Sequence, residues 1–187
     1  MNYFEVFNIE PFLNIDLKEL ERKFHDLSRK YHPDFHTDRP ESEQQSALEM
    51  TALLNDAYRT LRDRTARAEH LVESQGLTVD RSKVPQSLLM EIFEINEELE
   101  ELRSARQSGG DVQALMNDLR GFQREISDKR QSYDQQLDQA FTQWDHLLAD
   151  AETEGERRRH LEKLIDIISQ SSYIRNLERD IEEEVSR

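Results

Sequence analysis

Leu17, Leu20, Phe24, Leu27 and Tyr31 recur at steps of three and four, and the run meets Pro33. That spacing lays the apolar side chains along one face of an α-helix. Proline disfavours helix at the residue before it and lacks the amide that would continue it. Asp16, with Glu19 three residues on, resembles a capping box at the start of the run. The same period returns in Ala47, Met50 or Thr51, Leu54, Ala57, Tyr58 and Leu61, behind the polar, turn-rich "FHTDRPESEQ". It continues through "RTARAEHLVESQG" to a stop at Gly76. Only 5 glycines and 4 prolines punctuate the 187 residues, and no long segment alternates polar with apolar, so the expected fold is all-α.

The period lapses at "LTVDRSKVP", which holds Pro85. Residues 76–85 therefore read as a linker between an N-terminal helical hairpin, 1–75, and a C-terminal segment, 86–187. Beyond Pro85, "QSLLMEIFEINEELEELRSARQ" forms a helix stopped by Gly109-Gly110. Asp111 caps a long second helix, and a third runs from about Glu156 to Val185. Three helices joined by short breaks point to an antiparallel three-helix bundle. The closing "EEVSR" reads as a frayed end, and each segment is expected to fold without the other.

The chain carries 25 Lys and Arg against 40 Asp and Glu, a net charge of -15. That balance argues against nucleic acid or an anionic membrane as the main partner. No stretch approaches the length of apolar residues that a membrane helix needs, and "MNYFEVFNIEPF" lacks the basic start and apolar run of a secretory signal; a cytoplasmic chain is expected. The absence of cysteine excludes disulfides, thiol catalysis and Cys-held metals. His32 and His36 would chelate a metal from one helix, but Pro33 breaks it between them, so no metal or cofactor is expected. There is no P-loop, glycine-rich phosphate cradle or nucleophile elbow. The carboxylates are spread along helix faces, and an enzyme is not expected.

One local exception stands out against this acidity. Lys18, Arg22, His25, Arg29 and His32 step by four, three, four and three. They centre about 140° from the apolar stripe of the same helix. Over residues 16–31, five basic residues (Lys18, Arg22, Lys23, Arg29, Lys30) face four acidic ones, a balance of +1 in a strongly negative chain. This cationic face leads into His32-Pro33-Asp34. The aspartate either caps local amides in a helix-to-helix turn or stands outward as a rigid anion beside the positive stripe.

A second anomaly follows Pro85. Leu88, Ile92, Ile95, Leu99 and Leu102 form the core stripe, yet Leu89, Met90 and Phe93 lie nearly opposite, followed by Glu94, Glu97 and Glu101. A bundle helix normally turns charge to water on that side. Such a cluster is covered either by the N-terminal segment or by another protein; periodicity leaves both open.

The N-terminal pattern resembles the J-domain of DnaJ-type co-chaperones. An opening "YFEVFNI", the frame "LERKFHDLSRKYHPD" and then "LLNDAYRTLRDRTARAEHLV" carry the resemblance over residues 1 to about 75. With "LMEIFEINEELEEL" and the C-terminal helices, the whole chain is similar to the HscB family, J-type co-chaperones of iron–sulfur cluster assembly. The resemblance implies that His32, Pro33 and Asp34 trigger ATP hydrolysis by a DnaK/HscA-type chaperone, with Lys18, Arg22, Lys23, Arg29 and Lys30 as docking charges. It further implies that Leu89, Met90, Phe93, Glu94, Glu97, Glu101 and Tyr173 bind the IscU-type scaffold protein on which clusters are built. The family pattern is broken at one place: many J-domains carry lysine directly after the tripeptide, where this chain has Phe35. The implied function is delivery of the cluster scaffold to the chaperone. The alternatives are a helical interaction protein in which His-Pro-Asp is only a turn, or a general J-protein with another client.

Overall fold

The computed structural model describes every residue except 1, 36–37, 81–85, 151–152 and 187. Seven α-helices and no strand occur among the described residues. They are α1 (Tyr3–Val6), α2 (Leu17–Lys30), α3 (Glu41–Arg62), α4 (Arg64–Ser74), α5 (Leu89–Ser108), α6 (Gln113–Ala149) and α7 (Glu154–Val185).

Local chemistry sets most of the boundaries. Asp16 caps α2 by accepting the Lys18 and Glu19 amides at 2.8 and 3.3 Å. Glu19 takes the other partner within reach, Lys23, at 3.5 Å. α4 and α5 end on glycines with φ of +72° and +70°. At each, the next amide reaches back five residues, Leu77 N–H to the Val72 carbonyl and Gly110 N–H to the Ala105 carbonyl. This is the Schellman closure, which needs the left-handed backbone that glycine adopts without strain.

Three boundaries depart from the sequence reading. α3 begins at Glu41, inside the stretch expected to be a turn. Pro40 presets the backbone, and its carbonyl accepts the Gln44 amide at 3.1 Å. The helix expected to continue through Arg64 breaks at Asp63, which leaves helical geometry and accepts the Ala66 amide at 2.8 Å to start α4. The C-terminal "EEVSR" is not frayed over most of its length, because α7 runs to Val185. Glu184 is 2% exposed and receives Arg103 and Arg106, each at 2.8 Å. Removing either arginine would leave less compensation for a carboxylate that is itself buried.

The chain forms two compact units. The first comprises Met1–Thr78 together with Phe141–Leu161. In it α3 packs on α1, α2 and α4, and Phe24 of α2 stacks on Tyr58 of α3 with centroids 4.3 Å apart. The core of the unit includes Phe4, Leu13, Leu20, Leu54, Leu61, Leu71, Phe141 and Trp144, all buried. The inclusion of residues 141–161 differs from the division expected along the chain. The Trp144 indole N–H donates to the Pro11 carbonyl at 2.9 Å. The Asp145 carboxylate accepts the Leu13 and Asn14 amides at 2.6 and 3.0 Å.

The second unit, Val79–Ala140 with Glu162–Arg187, is the three-helix bundle. Leu88, Ile95, Leu99 and Leu102 bury against Leu119 and Ile126 of α6 and Ile174, Leu177 and Ile181 of α7. Polar links close its edges: Lys129 pairs with Glu91, Arg130 with Glu178 at 2.9 Å, and the Tyr133 hydroxyl donates to Gln170 at 2.7 Å.

Candidate functional site

The segment after α2 is fixed from both sides. Tyr31 ends the helix, its amide on the Leu27 carbonyl. Pro33–Phe35 then makes one 3₁₀ turn, in which the Phe35 amide donates to the His32 carbonyl at 3.0 Å. The turn packs on α3, whose Thr51 hydroxyl lies 2.8 Å from the Ala47 carbonyl of its own helix and 3.0 Å from the Tyr31 carbonyl. Proline presets φ within the turn. The result presents rather than buries: the Asp34 carboxylate is 82% exposed and His32 is exposed beside it.

His32 Nδ1 accepts the Asp34 amide at 3.3 Å and lies 3.6 Å from its carboxylate. One nitrogen cannot accept from the amide and donate to the carboxylate at once. The amide is the nearer of the two. His36 lies outside the described residues; no metal-ligating cluster of three or more occurs among the described ones.

Lys18, Arg22, His25 and Arg29 are all exposed on the face of α2 away from α3. Arg29 and Lys30 sit in the last helical turn, where a cation also favours the helix dipole. Lys30 places its ammonium 5.1 Å from the Tyr31 ring centre. Lys23 behaves differently. Its ammonium donates to the carbonyls of Phe7 and Asn8 at 3.2 and 2.9 Å. It closes the end of α1 and turns its charge inward, one helical step off the stripe.

In the second unit, Leu89, Met90 and Phe93 are 47%, 72% and 66% exposed. Glu94, Glu97 and Glu101 are exposed along the same helix. Between these acids Glu98 is half-buried, and burial raises its carboxyl above the ordinary value, with Asp118, Glu101 and Glu97 adding to the effect. Tyr173 is half-buried and packs on the bundle core. Helical spacing alone did not place that residue.

Residues 2–70 match the family model of the DnaJ domain, and residues 84–182, more than half of the chain, match the HSCB C-terminal oligomerisation domain. The chain belongs to the HscB family of J-domain co-chaperones. A co-chaperone HscB homologue from Neisseria meningitidis serogroup C is 32% identical over 170 residues, covering 89% of this chain and 96% of that protein. One from Colwellia psychrerythraea is 35% identical over 119 residues, covering 62% of this chain and 66% of that protein. The HscB chaperone of Vibrio cholerae superposes with a TM-score of 0.63 at 26% identity, over 98% of this chain and 96% of that one. The human co-chaperone HscB shares the fold, with a TM-score of 0.66 at 23% identity over 97% of this chain and 81% of that one.

Within this HscB-family chain, sequence reasoning missed the groups that hold the J-domain's scaffold. Arg67 is buried, and its guanidinium donates to the carbonyls of Leu13, at 2.9 Å, and Leu61. His70 Nε2 accepts the Tyr3 amide at 2.8 Å, and the two rings stack 4.2 Å apart. Each looks like an ordinary surface-type residue in a helical run, and the only signal was its position on the apolar side. Among the described residues, no helix is long and apolar enough to cross a membrane.

Proposed function

We propose that this protein stimulates the ATPase of a DnaK/HscA-type chaperone and carries an iron–sulfur cluster scaffold protein to it. The observation that carries the reading is the exposed, braced turn at His32-Pro33-Asp34, directly continuous with the cationic face of α2. The Asp34 carboxylate is 82% exposed in that turn and open to an approaching partner. Lys18, Arg22, Arg29 and Lys30 supply the docking charges, and an acidic surface on the chaperone is their complement. Lys23 is proposed to act by holding α1 in place rather than by touching the chaperone.

The scaffold is proposed to seat on Leu89, Met90 and Phe93, with Glu94, Glu97 and Glu101 as a charged rim and Tyr173 at the margin. Three exposed apolar side chains bordered by carboxylates match the core-and-rim pattern of a protein interface. The protein acts as an adaptor without chemistry of its own, in the cytoplasm. The test is ATP turnover by a purified DnaK-type chaperone, with this protein and an IscU-type scaffold added singly and together. The reading requires stimulation by the protein alone and more when both are present. No stimulation in either mixture contradicts it.

A further inference from the structure

Phe35 follows the tripeptide directly, and its ring is 69% exposed. Phe35 and Phe93 are the two strongly exposed phenylalanines among the described residues. Single exposed apolar residues are ordinary on protein surfaces, but this one is neither on a loose loop nor remote from the candidate contact. Its amide donates to the His32 carbonyl at 3.0 Å, closing the 3₁₀ turn. Its ring meets that of His32 edge to face, with centroids 6.0 Å apart. The 3₁₀ turn that carries it packs on α3. An aromatic side chain with two rotatable bonds, already oriented, loses little freedom on docking and offers a large apolar area.

We propose that Phe35 is an apolar anchor of the chaperone contact, received by an apolar recess on the ATPase chaperone beside the acidic surface that meets the basic stripe. This rests on the reading of the His-Pro-Asp turn as a chaperone contact. Continuity with that turn names the occupant: whatever approaches Asp34 and His32 meets the Phe35 ring at the same moment. The side chain also sets specificity. A lysine here would ask its partner for an acid, whereas phenylalanine asks for a desolvated, uncharged pocket and leaves a partner's carboxylate unpaired. The chaperone that fits this chain therefore differs, at the point facing Phe35, from one that fits a J-domain with lysine there.

The experiment measures ATP hydrolysis by a purified DnaK-type chaperone against the concentration of full-length wild type, Phe35→Ala, Phe35→Leu and Phe35→Lys. Phe35→Ala should raise the half-saturating concentration about tenfold, as expected for loss of a buried aromatic anchor, with the same maximal rate. Phe35→Leu should raise it less, and Phe35→Lys at least as much as alanine. Wild-type affinity in Phe35→Ala overturns the proposal. So does a Phe35→Lys variant that docks as well as wild type with a steeper dependence on salt, because the receiving surface is then acidic. A fall in maximal rate at unchanged half-saturation also overturns it, placing Phe35 in the trigger rather than the docking. If wild type itself gives no stimulation, the reading of the turn fails and the proposal with it; if wild type stimulates and only the alanine variant is normal, the turn stands and Phe35 alone is excluded.

Discussion

At the scale of single residues, His70 shows how a group without an obvious role governs stability. Its Nε2 must keep a lone pair to accept the Tyr3 amide, and burial pushes the imidazole below its ordinary value, against a smaller opposing pull from Glu73. The folded state therefore binds protons less readily here than the unfolded chain. The stabilisation is complete above the ordinary histidine range and is lost as pH falls through that range toward the lower folded value. Melting temperatures at pH 7.5 and 5.5 should show wild type losing more than His70→Gln, whose amide oxygen still accepts from Tyr3 but does not titrate. Equal losses would remove His70 from the account. Sequence gave no warning of this pairing because its partners are 67 residues apart. The direction of Lys23 was hidden for a similar reason: its charge type and position on α2 were plain, but its ammonium is turned to the carbonyls at the end of α1.

At the scale of elements, α2 and α5 each bear a packed apolar face and a second, exposed face. Reversing Arg22→Glu and Arg29→Glu together leaves the apolar face of α2 intact. It should weaken chaperone docking by about tenfold or more at low salt, and the gap should narrow as salt rises, since exposed charges are screened beyond about 10 Å at 0.1 M. Wild-type docking that ignores salt would contradict an electrostatic interface. On α5, replacing Leu89, Met90 and Phe93 together with Ala removes side chains that are exposed. The melting temperature should hardly move, while scaffold binding, read by titration calorimetry, should fall roughly a hundredfold or more at about 1–2 kcal/mol per anchor. Unchanged binding with a lowered melting point would instead make them core. These elements were legible because a helix is local: period, cap and glycine stop all lie within a few residues. The break at Asp63 was hidden because the apolar period runs on across it, and the start of α3 at Glu41 was hidden by turn-forming residues that here form a first helical turn.

At the scale of the whole molecule, each compact unit draws on segments distant in sequence, which no periodicity reveals. Residues 141–161 belong with the J-like segment, where Trp144 is buried and donates to the Pro11 carbonyl, and Asp145 holds the next two free amides of the same strap. That strap leads into Asp16 and the basic helix. A fragment ending at residue 75 should therefore be much less stable than the same residues in the full chain, contrary to an autonomous hairpin. Trp144→Ala in the full chain should cost about 3–5 kcal/mol in the first unit, measured by denaturant unfolding followed through α2 and α3. A change below about 1 kcal/mol would show that the expected division along the chain was adequate. The account's central claim is that a rigid anion beside a cationic helix triggers a partner's ATPase. Asp34→Asn tests it most directly, because the amide keeps the size and shape of an 82% exposed side chain while removing its charge and turning one acceptor oxygen into a donor. The account predicts wild-type helicity and melting temperature with stimulation of the DnaK-type chaperone reduced to its unstimulated rate. Stimulation equal to wild type from the folded variant would contradict it.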